Sequence, residues 1–375
     1  MMRKLAVILL MVTLSLPSFA AECRNWAEWD GFKSRFVDGG RVIDRSESGS
    51  FTTSEGQSYG LFFALVANDR NAFDQILKWT EANLAGGDLT ARLPAWHWGK
   101  RPDGTWGIID PNPASDSDLW IAYSLMEAGR LWKLERYTAL GELLANRIFR
   151  EEVEELPGLG WTLLPAPKGF KPEPGVWRLN PSYPPIQLLQ RMAFQLPESA
   201  WSQLLAPAAD LIVRSAPRGF APEWIIYKDG SGFLPDPESK GEGSYNAIRV
   251  YLWAGMLATD EPLAKTLVER FSPMADAVAR TGVPAEKIDT VNAALSESAG
   301  PAGFSAAVIP LLASLKRKGP ASEQRLRVTA KAPLLLNDNY YDQALTLFGL
   351  GWIDGHYKFQ RNGMLQLKWK CNASR

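Results

Sequence analysis

Thiol and imidazole groups are scarce in this chain. Among 375 residues there are two cysteines, Cys23 and Cys371, and two histidines, His97 and His356. At these spacings they match no recognised zinc pattern, and no motif points to another metal or a cofactor, so none is expected. Net charge is missing too, because 41 basic and 41 acidic residues cancel. With no charged block, capture of nucleic acid or of a membrane surface is not expected. After residue 16 no apolar run is long enough to span a bilayer.

The one extended apolar run lies at the start. Arg3 and Lys4 precede Leu5 to Leu16, and Ser18-Phe19-Ala20 fits a small-x-small cleavage site. Residues 1–21 therefore read as a signal peptide, and 22–375 as a single exported domain, periplasmic or secreted. Glu22 before Cys23 argues against a lipid-modified cysteine. In an oxidising compartment Cys23 and Cys371, near opposite ends of the mature chain, are candidates for a disulfide tying the termini together; two free thiols are the alternative.

Tryptophan and apolar side chains are plentiful. The hydrophobic fraction is 46%, enough for a sizeable core, and there are 15 tryptophans. Many of these lie beside Gly, Pro or polar residues, where an indole often serves as a stacking platform, although any single Trp is more often core. Apolar residues recur at three- and four-residue spacing in twelve stretches, which predict helices at 24–36, 57–67, 70–83, 115–132, 135–151, 184–194, 198–215, 244–258, 261–281, 302–313, 321–330 and 339–352. Gly- and Pro-rich segments at 85–113, 156–183 and 217–243 interrupt them, the last with a turn signal at Tyr227-Lys228-Asp229-Gly230. Long loops in a compact domain are usually functional. Helices with long loops at one end suggest a ring of helix hairpins. No low-complexity linker divides the chain, and no internal repeat is evident.

Two acidic motifs stand out. In Thr53-Ser54-Glu55-Gly56-Gln57-Ser58-Tyr59-Gly60, Glu55 sits at or just before the start of the apolar run 61–67. A carboxyl at the mouth of a buried helix is partly desolvated, which raises its pKa toward the range a general acid needs. The plainer reading is a helix-start acid that complements the dipole. In Ala114-Ser115-Asp116-Ser117-Asp118-Leu119-Trp120, Ser115 or Asp116 can cap a helix. One cap needs one residue, so the second acid wants another role. A spacing of two turns Asp116 and Asp118 to different sides, one toward a cleft and the other toward backbone or a neighbouring helix.

These motifs carry a family resemblance. A-S-D-S-D-L-W-I-A-Y-S-L-M-E-A-G-R-L-W resembles the signature of glycoside hydrolase family 8, and T-S-E-G-Q-S-Y-G resembles the segment bearing its general acid. R-L-P-A-W-H-W-G-K at 92–100, W-R-L-N-P-S-Y-P-P at 177–185, S-Y-N-A-I-R-V-Y-L-W-A-G-M at 244–256, G-F-S-A-A at 303–307 and Y-Y-D-Q-A-L-T-L-F-G at 340–349 follow in the family's order. The likeness spans the mature chain and is greatest to the periplasmic endoglucanases encoded with bacterial cellulose synthases. It implies an all-α fold, an (α/α)6 barrel of six inner and six outer helices with an open cleft at one end. The implied activity is inverting hydrolysis of a β-1,4-glucan, without a cofactor. The implied partners are the glucan chain and a cellulose synthase complex. By motif, Glu55 is the proton donor, and Asp116 binds and distorts the sugar at the cleavage point. Tyr245 and Arg249 orient the water and its base, while Trp98, Trp177 and Tyr183 line the subsites. Trp98 and Trp177 can instead be packing, Tyr183 can instead cap a helix entry, and Arg249 can instead be a surface residue or a partner of Asp118. His97 reads as a rim residue.

One position departs from the pattern. The resemblance implies an aspartate base where this chain has Asn246. An amide cannot take a proton from water at ordinary pH, and a base contributes about 10²–10⁴-fold in rate. Either another carboxylate serves, with Asp116, Glu242 and Asp229 as candidates, or the chain is a slow hydrolase or a non-catalytic glucan-binding accessory protein, or the substitution is an engineered inactivation. A third class keeps the chemistry and changes the glycan to xylan, mixed-linkage glucan or chitosan.

Overall fold

The computed structural model describes residues 26–45, 50–330 and 339–369. The proposed signal peptide, Cys23 and Cys371 lie outside the described residues. Thirteen α-helices are present among those described: α1 Ala27–Phe36, α2 Ser54–Val66, α3 Arg70–Leu84, α4 Ser115–Trp132, α5 Glu135–Glu152, α6 Ile186–Gln195, α7 Leu205–Arg214, α8 Ala247–Gly255, α9 Pro262–Arg270, α10 Ser272–Thr281, α11 Ala302–Ser314, α12 Lys318–Ala330 and α13 Tyr340–Ile353.

Burial sorts them into two rings. In α2, α4, α8, α11 and α13 nearly every residue is buried, and α6 is buried over its first seven. Such helices are apolar all round because neighbours cover every face. The other helices bury one stripe, as in α3, where Ala72, Phe73, Ile76, Leu77, Thr80 and Leu84 face inward. Inner helices touch in the order α2, α4, α6, α8, α11, α13, and each packs against an outer neighbour. Phe348 of α13 closes the ring against α2, with its centroid 4.7 Å from that of Phe63 and 4.9 Å from that of Tyr59. This is the expected (α/α)6 barrel. Close approach of inner helices depends on glycine. A Cβ on Gly349 would lie 2.0 Å from the Ala306 carbonyl oxygen, and one on Gly255 would lie 2.2 Å from the Leu311 nitrogen.

The expected helix at 261–281 is divided. Phe271, with φ −96° and ψ 13°, separates α9 from α10, and Pro273 cannot donate the N–H that would continue α9. The expected helix at 198–215 opens with a 3₁₀ turn at Ala200–Leu204 before α7. The interrupting segments hold small antiparallel sheets. The turn signal at 227–230 joins strands Ile225–Lys228 and Gly232–Pro235, with Gly230 at φ +70°. Among the described residues no helix is long and apolar enough to cross a membrane.

Candidate active site

The first turns of the inner helices converge at one end of the barrel. Glu55 is the second residue of α2 and Asp116 the second of α4. Asn246 immediately precedes α8, Tyr340 and Tyr341 open α13, and Tyr183 lies just before α6. Chain entry is fixed locally. Thr53 caps α2 by accepting from the Gly56 N–H at 3.1 Å, and its strand pairs with His97–Lys100. Thus α2 starts at Ser54, three residues before the periodicity predicts, because the cap and the sheet outweigh the polar composition of 54–57.

Arg249 of α8 is the hub. Its side chain is buried, and Nη1 donates to Glu55 Oε2 at 2.9 Å, Asp116 Oδ2 at 2.8 Å and the Tyr59 hydroxyl at 3.0 Å. Nη2 donates to Asn246 Oδ1 at 2.6 Å. Burial opposes the guanidinium charge, but Tyr59, Tyr341, Asp116 and Glu55 outweigh it, so its pKa rises. Arg249 is therefore neither a surface residue nor a partner of Asp118. The Tyr183 ring lies 5.7 Å from the guanidinium carbon.

Burial pushes the Glu55 carboxyl up to about 7, against the pull of Arg249, with Asp116 and Asp44 adding to the rise. The Tyr340 hydroxyl stands 3.5 Å from its Oε1. A quarter of the Glu55 side chain remains open to a hollow of about 480 Å³, also lined by Asp44, Thr53, Tyr245, Asn246 and Tyr341. A carboxyl of this kind holds a proton near neutrality and faces open space, which suits proton donation. A wider hollow of about 870 Å³ opens between Met256 and Gln366, where Asp260 is the one acid among the lining residues. One carboxyl does not make an acid and base pair.

Asp116 does not cap α4. Ala114 occupies the cap position, and Asp116 Oδ1 accepts from the Ser117 N–H at 2.8 Å while Oδ2 takes Arg249. Asp118 points the other way, into the interior against Glu152 of α5. Burial raises both carboxyls well above their usual range, with the Asp116 charge adding to the rise at Asp118 and the Asp118 charge to that at Glu152, so the pair holds a proton.

The aromatic residues divide. Tyr183 and Tyr245 lie at the site; the Tyr245 hydroxyl donates to Glu286 Oε1 at 3.3 Å, and its carbonyl accepts from Tyr341 at 2.6 Å. Trp98 sits on the strand beside Thr53, stacked on Trp106 with centroids 5.4 Å apart and covered by Arg41 at 4.5 Å. Trp96 and Trp106, 37% and 48% exposed, carry the open indole surface there. Trp177 is a correction. It is 7% exposed and packs with Tyr227 in a satellite cluster with Leu156, Leu179 and Leu211. Along strand Val176–Leu179 side chains alternate, so Trp177 faces inward, while Arg178 faces out onto Trp224. Trp224 stands 5.9 Å from Tyr183.

Sequence reasoning missed Glu223, Trp224, Tyr340 and Tyr341 as site residues. Glu223 Oε2 accepts from Asn246 Nδ2 at 2.6 Å, and Oε1 accepts from the backbone N–H groups of Ser244, Asn246 and Ala247 at 2.7, 2.8 and 3.1 Å. Nothing in the sequence links it to Asn246, 23 positions later. The one signal is its place in the long loop 217–243. The expected base candidates lie elsewhere. Glu242 pairs with Lys287 at 3.0 Å, and Asp229 is exposed beside a hairpin turn. Asp116 shares one guanidinium nitrogen with Glu55.

Residues 1–355 match the model of glycosyl hydrolases family 8. The chain belongs to that family. It is a glycoside hydrolase, similar at 45% identity to endoglucanases of Salmonella typhi, over 98% of both chains, and of Escherichia coli strain K12, over 96% of both. Its fold superposes on the crystal structure of an endo-1,4-D-glucanase from Vibrio fischeri ES114 with TM-score 0.89 and 46% identity, covering 92% of this chain and 99% of that one. In this family 8 chain, then, the buried acid, its arginine hub and the asparagine lie together at the open end of the barrel.

Proposed function

We propose that the protein is an exported endo-β-1,4-glucanase that inverts the anomeric centre and acts in bacterial cellulose biosynthesis, beside a synthase complex. The observation that carries this reading is Glu55, a carboxyl held near pH 7 at the edge of an open hollow, with Arg249 joining it to Asp116. Glu55 donates a proton to the leaving glycosidic oxygen. Asp116 and Arg249 hold the sugar at the cleavage point, and Tyr183 and Tyr245 flank it. Glucose rings expose apolar C–H faces that stack on such aromatics. The relatives named above support glucan as the substrate, and the N-terminal pattern supports export to the periplasm or beyond.

Asn246 favours a second reading, a glucan-binding accessory protein without turnover. Release of reducing ends from carboxymethylcellulose separates the two. The hydrolase reading expects release by the wild type and none by Glu55→Gln; full activity of Glu55→Gln removes Glu55 from the mechanism.

A further inference from the structure

We infer that Glu223 is the general base of this enzyme, taking the role that Asn246 cannot fill; the inference rests on the hydrolase reading above. Inversion needs two carboxyl groups about 6.5–9.5 Å apart, with room for a water between base and sugar. Asp116 fails that requirement. Its Oδ2 and Glu55 Oε2 lie 2.8 and 2.9 Å from the same nitrogen of Arg249, so these oxygens are too close together to admit it. Glu223 lies one group further along the chain of contacts, beyond Arg249 Nη2 and the Asn246 amide.

The Asn246 amide has a defined orientation. Arg249 donates to its oxygen, so its nitrogen must point the other way, and that nitrogen donates to Glu223 Oε2. Three backbone N–H groups occupy Glu223 Oε1. An acceptor set of this kind suits the ionised, acceptor-only carboxylate. Oε2 accepts one hydrogen bond and keeps a lone pair for another donor. Glu223 is partly exposed, and its negative charge acts on the Tyr341 hydroxyl together with those of Glu55 and Asp116. Its backbone N–H donates to the Glu242 carbonyl at 2.7 Å, which anchors the loop that carries it.

The step balances as follows. A water oxygen bonds to the anomeric carbon while the bond from that carbon to the leaving oxygen breaks. The leaving oxygen keeps the electron pair and takes the Glu55 proton. The water proton passes to Glu223 Oε2. Glu55 ends ionised and Glu223 ends protonated, and exchange with solvent resets both. A carboxylate that only braces the start of α8 would have no part in this transfer.

The test compares wild type, Glu223→Gln, Asn246→Asp and the double variant on cellopentaose, with binding measured by calorimetry. Gln keeps an acceptor for the backbone N–H groups, so the start of α8 remains capped. The expected result is turnover by the wild type and a fall of about 10²–10⁴-fold in kcat for Glu223→Gln, with oligosaccharide affinity kept. Azide, which needs no base, restores turnover in Glu223→Gln and yields the α-glycosyl azide. In the double variant the new aspartate restores hydrolysis. Wild-type kcat in Glu223→Gln overturns the assignment. So does a wild type that is idle until Asn246→Asp; that outcome also fails the hydrolase reading of the wild type, whereas wild-type kcat in Glu223→Gln leaves that reading standing. If Asn246→Asp is idle as well, the hydrolase reading falls and takes this assignment with it.

Discussion

At the residue scale, the placement of Glu55 sets two opposing forces against each other. The first turn of a helix favours negative charge, and Arg249 favours it further. Burial nonetheless wins and lifts the carboxyl to about 7 from an ordinary 4.5. A folded-state pKa above the unfolded one means that the folded protein binds the proton more tightly. The stability contributed by this group is therefore complete below about pH 4.5 and is lost as pH rises through about 7. Glu55→Gln has no such loss. Its stability relative to wild type is expected to climb between pH 4.5 and 7 and then level off, with a total change of at most about 3 kcal/mol. Thermal melts across that range check it, and a difference that falls with rising pH sinks the assignment. The same proton controls rate. As an acid, Glu55 must be protonated, so kcat/KM on cellopentaose is expected to decline above about pH 7. Glu55 was only half legible in the sequence: an acid six residues before the apolar run 61–67 reads equally as a desolvated carboxyl or as a plain helix-start acid, and its burial in the fold decides between them. Glu223 was not legible. Its meaning comes from its contacts with Asn246 and the backbone around it, and no spacing rule connects a loop residue with a helix start 23 positions away.

At the element scale, six inner helices aim their first turns at one end, and helix periodicity explains why so much of this was readable. Ten of the twelve expected stretches matched single helices within a few residues, because outer helices show an apolar stripe and inner ones a continuous apolar run. The failures have local causes: Pro273 divides one stretch, and the 3₁₀ turn before α7 alters another. Trp177 failed for a different reason. A four-residue strand is too short for alternation to separate an inward indole from an outward one. What ties the inner ring to the hairpin of strands Tyr357–Phe359 and Leu365–Leu367 was also hidden. Glu127 of α4 is fully buried and accepts from Arg130, from Arg191 Nε of α6 at 2.6 Å and from the Leu365 N–H at 2.7 Å. Removing one partner of a buried charge network leaves the others unpaired, at a cost of about 3–5 kcal/mol. Glu127→Ala is expected to lose that much in urea unfolding, since Arg191 is itself buried. A loss below about 1 kcal/mol would show that the network contributes little.

At the scale of the whole molecule, the open end of the barrel lies between two aromatic groups. On one side strand Trp106–Asp110 pairs with His97–Lys100, which pairs with Thr52–Thr53 beside Glu55. On the other, Trp224 stands against Phe170 and Tyr183. On the proposed glucanase reading, a long polymer crossing the acid would meet both groups, whereas a short oligosaccharide would reach only the nearest rings. Trp106 pairs with Lys100, at the end of the sheet away from Thr53, and almost half of it is exposed. An indole there binds a remote sugar equally in the ground state and the transition state, so its loss changes KM and leaves kcat alone. Covering an open indole face is worth roughly 1–2 kcal/mol, or about 5- to 30-fold in affinity. Trp106→Ala is therefore expected to raise KM by that factor on soluble cellulose polymer and to leave cellotriose kinetics unchanged. Steady-state rates on the two substrates decide it. Equal effects on both would place the indole beside the cleavage point, and no effect on either would remove this side of the barrel from the polymer's path.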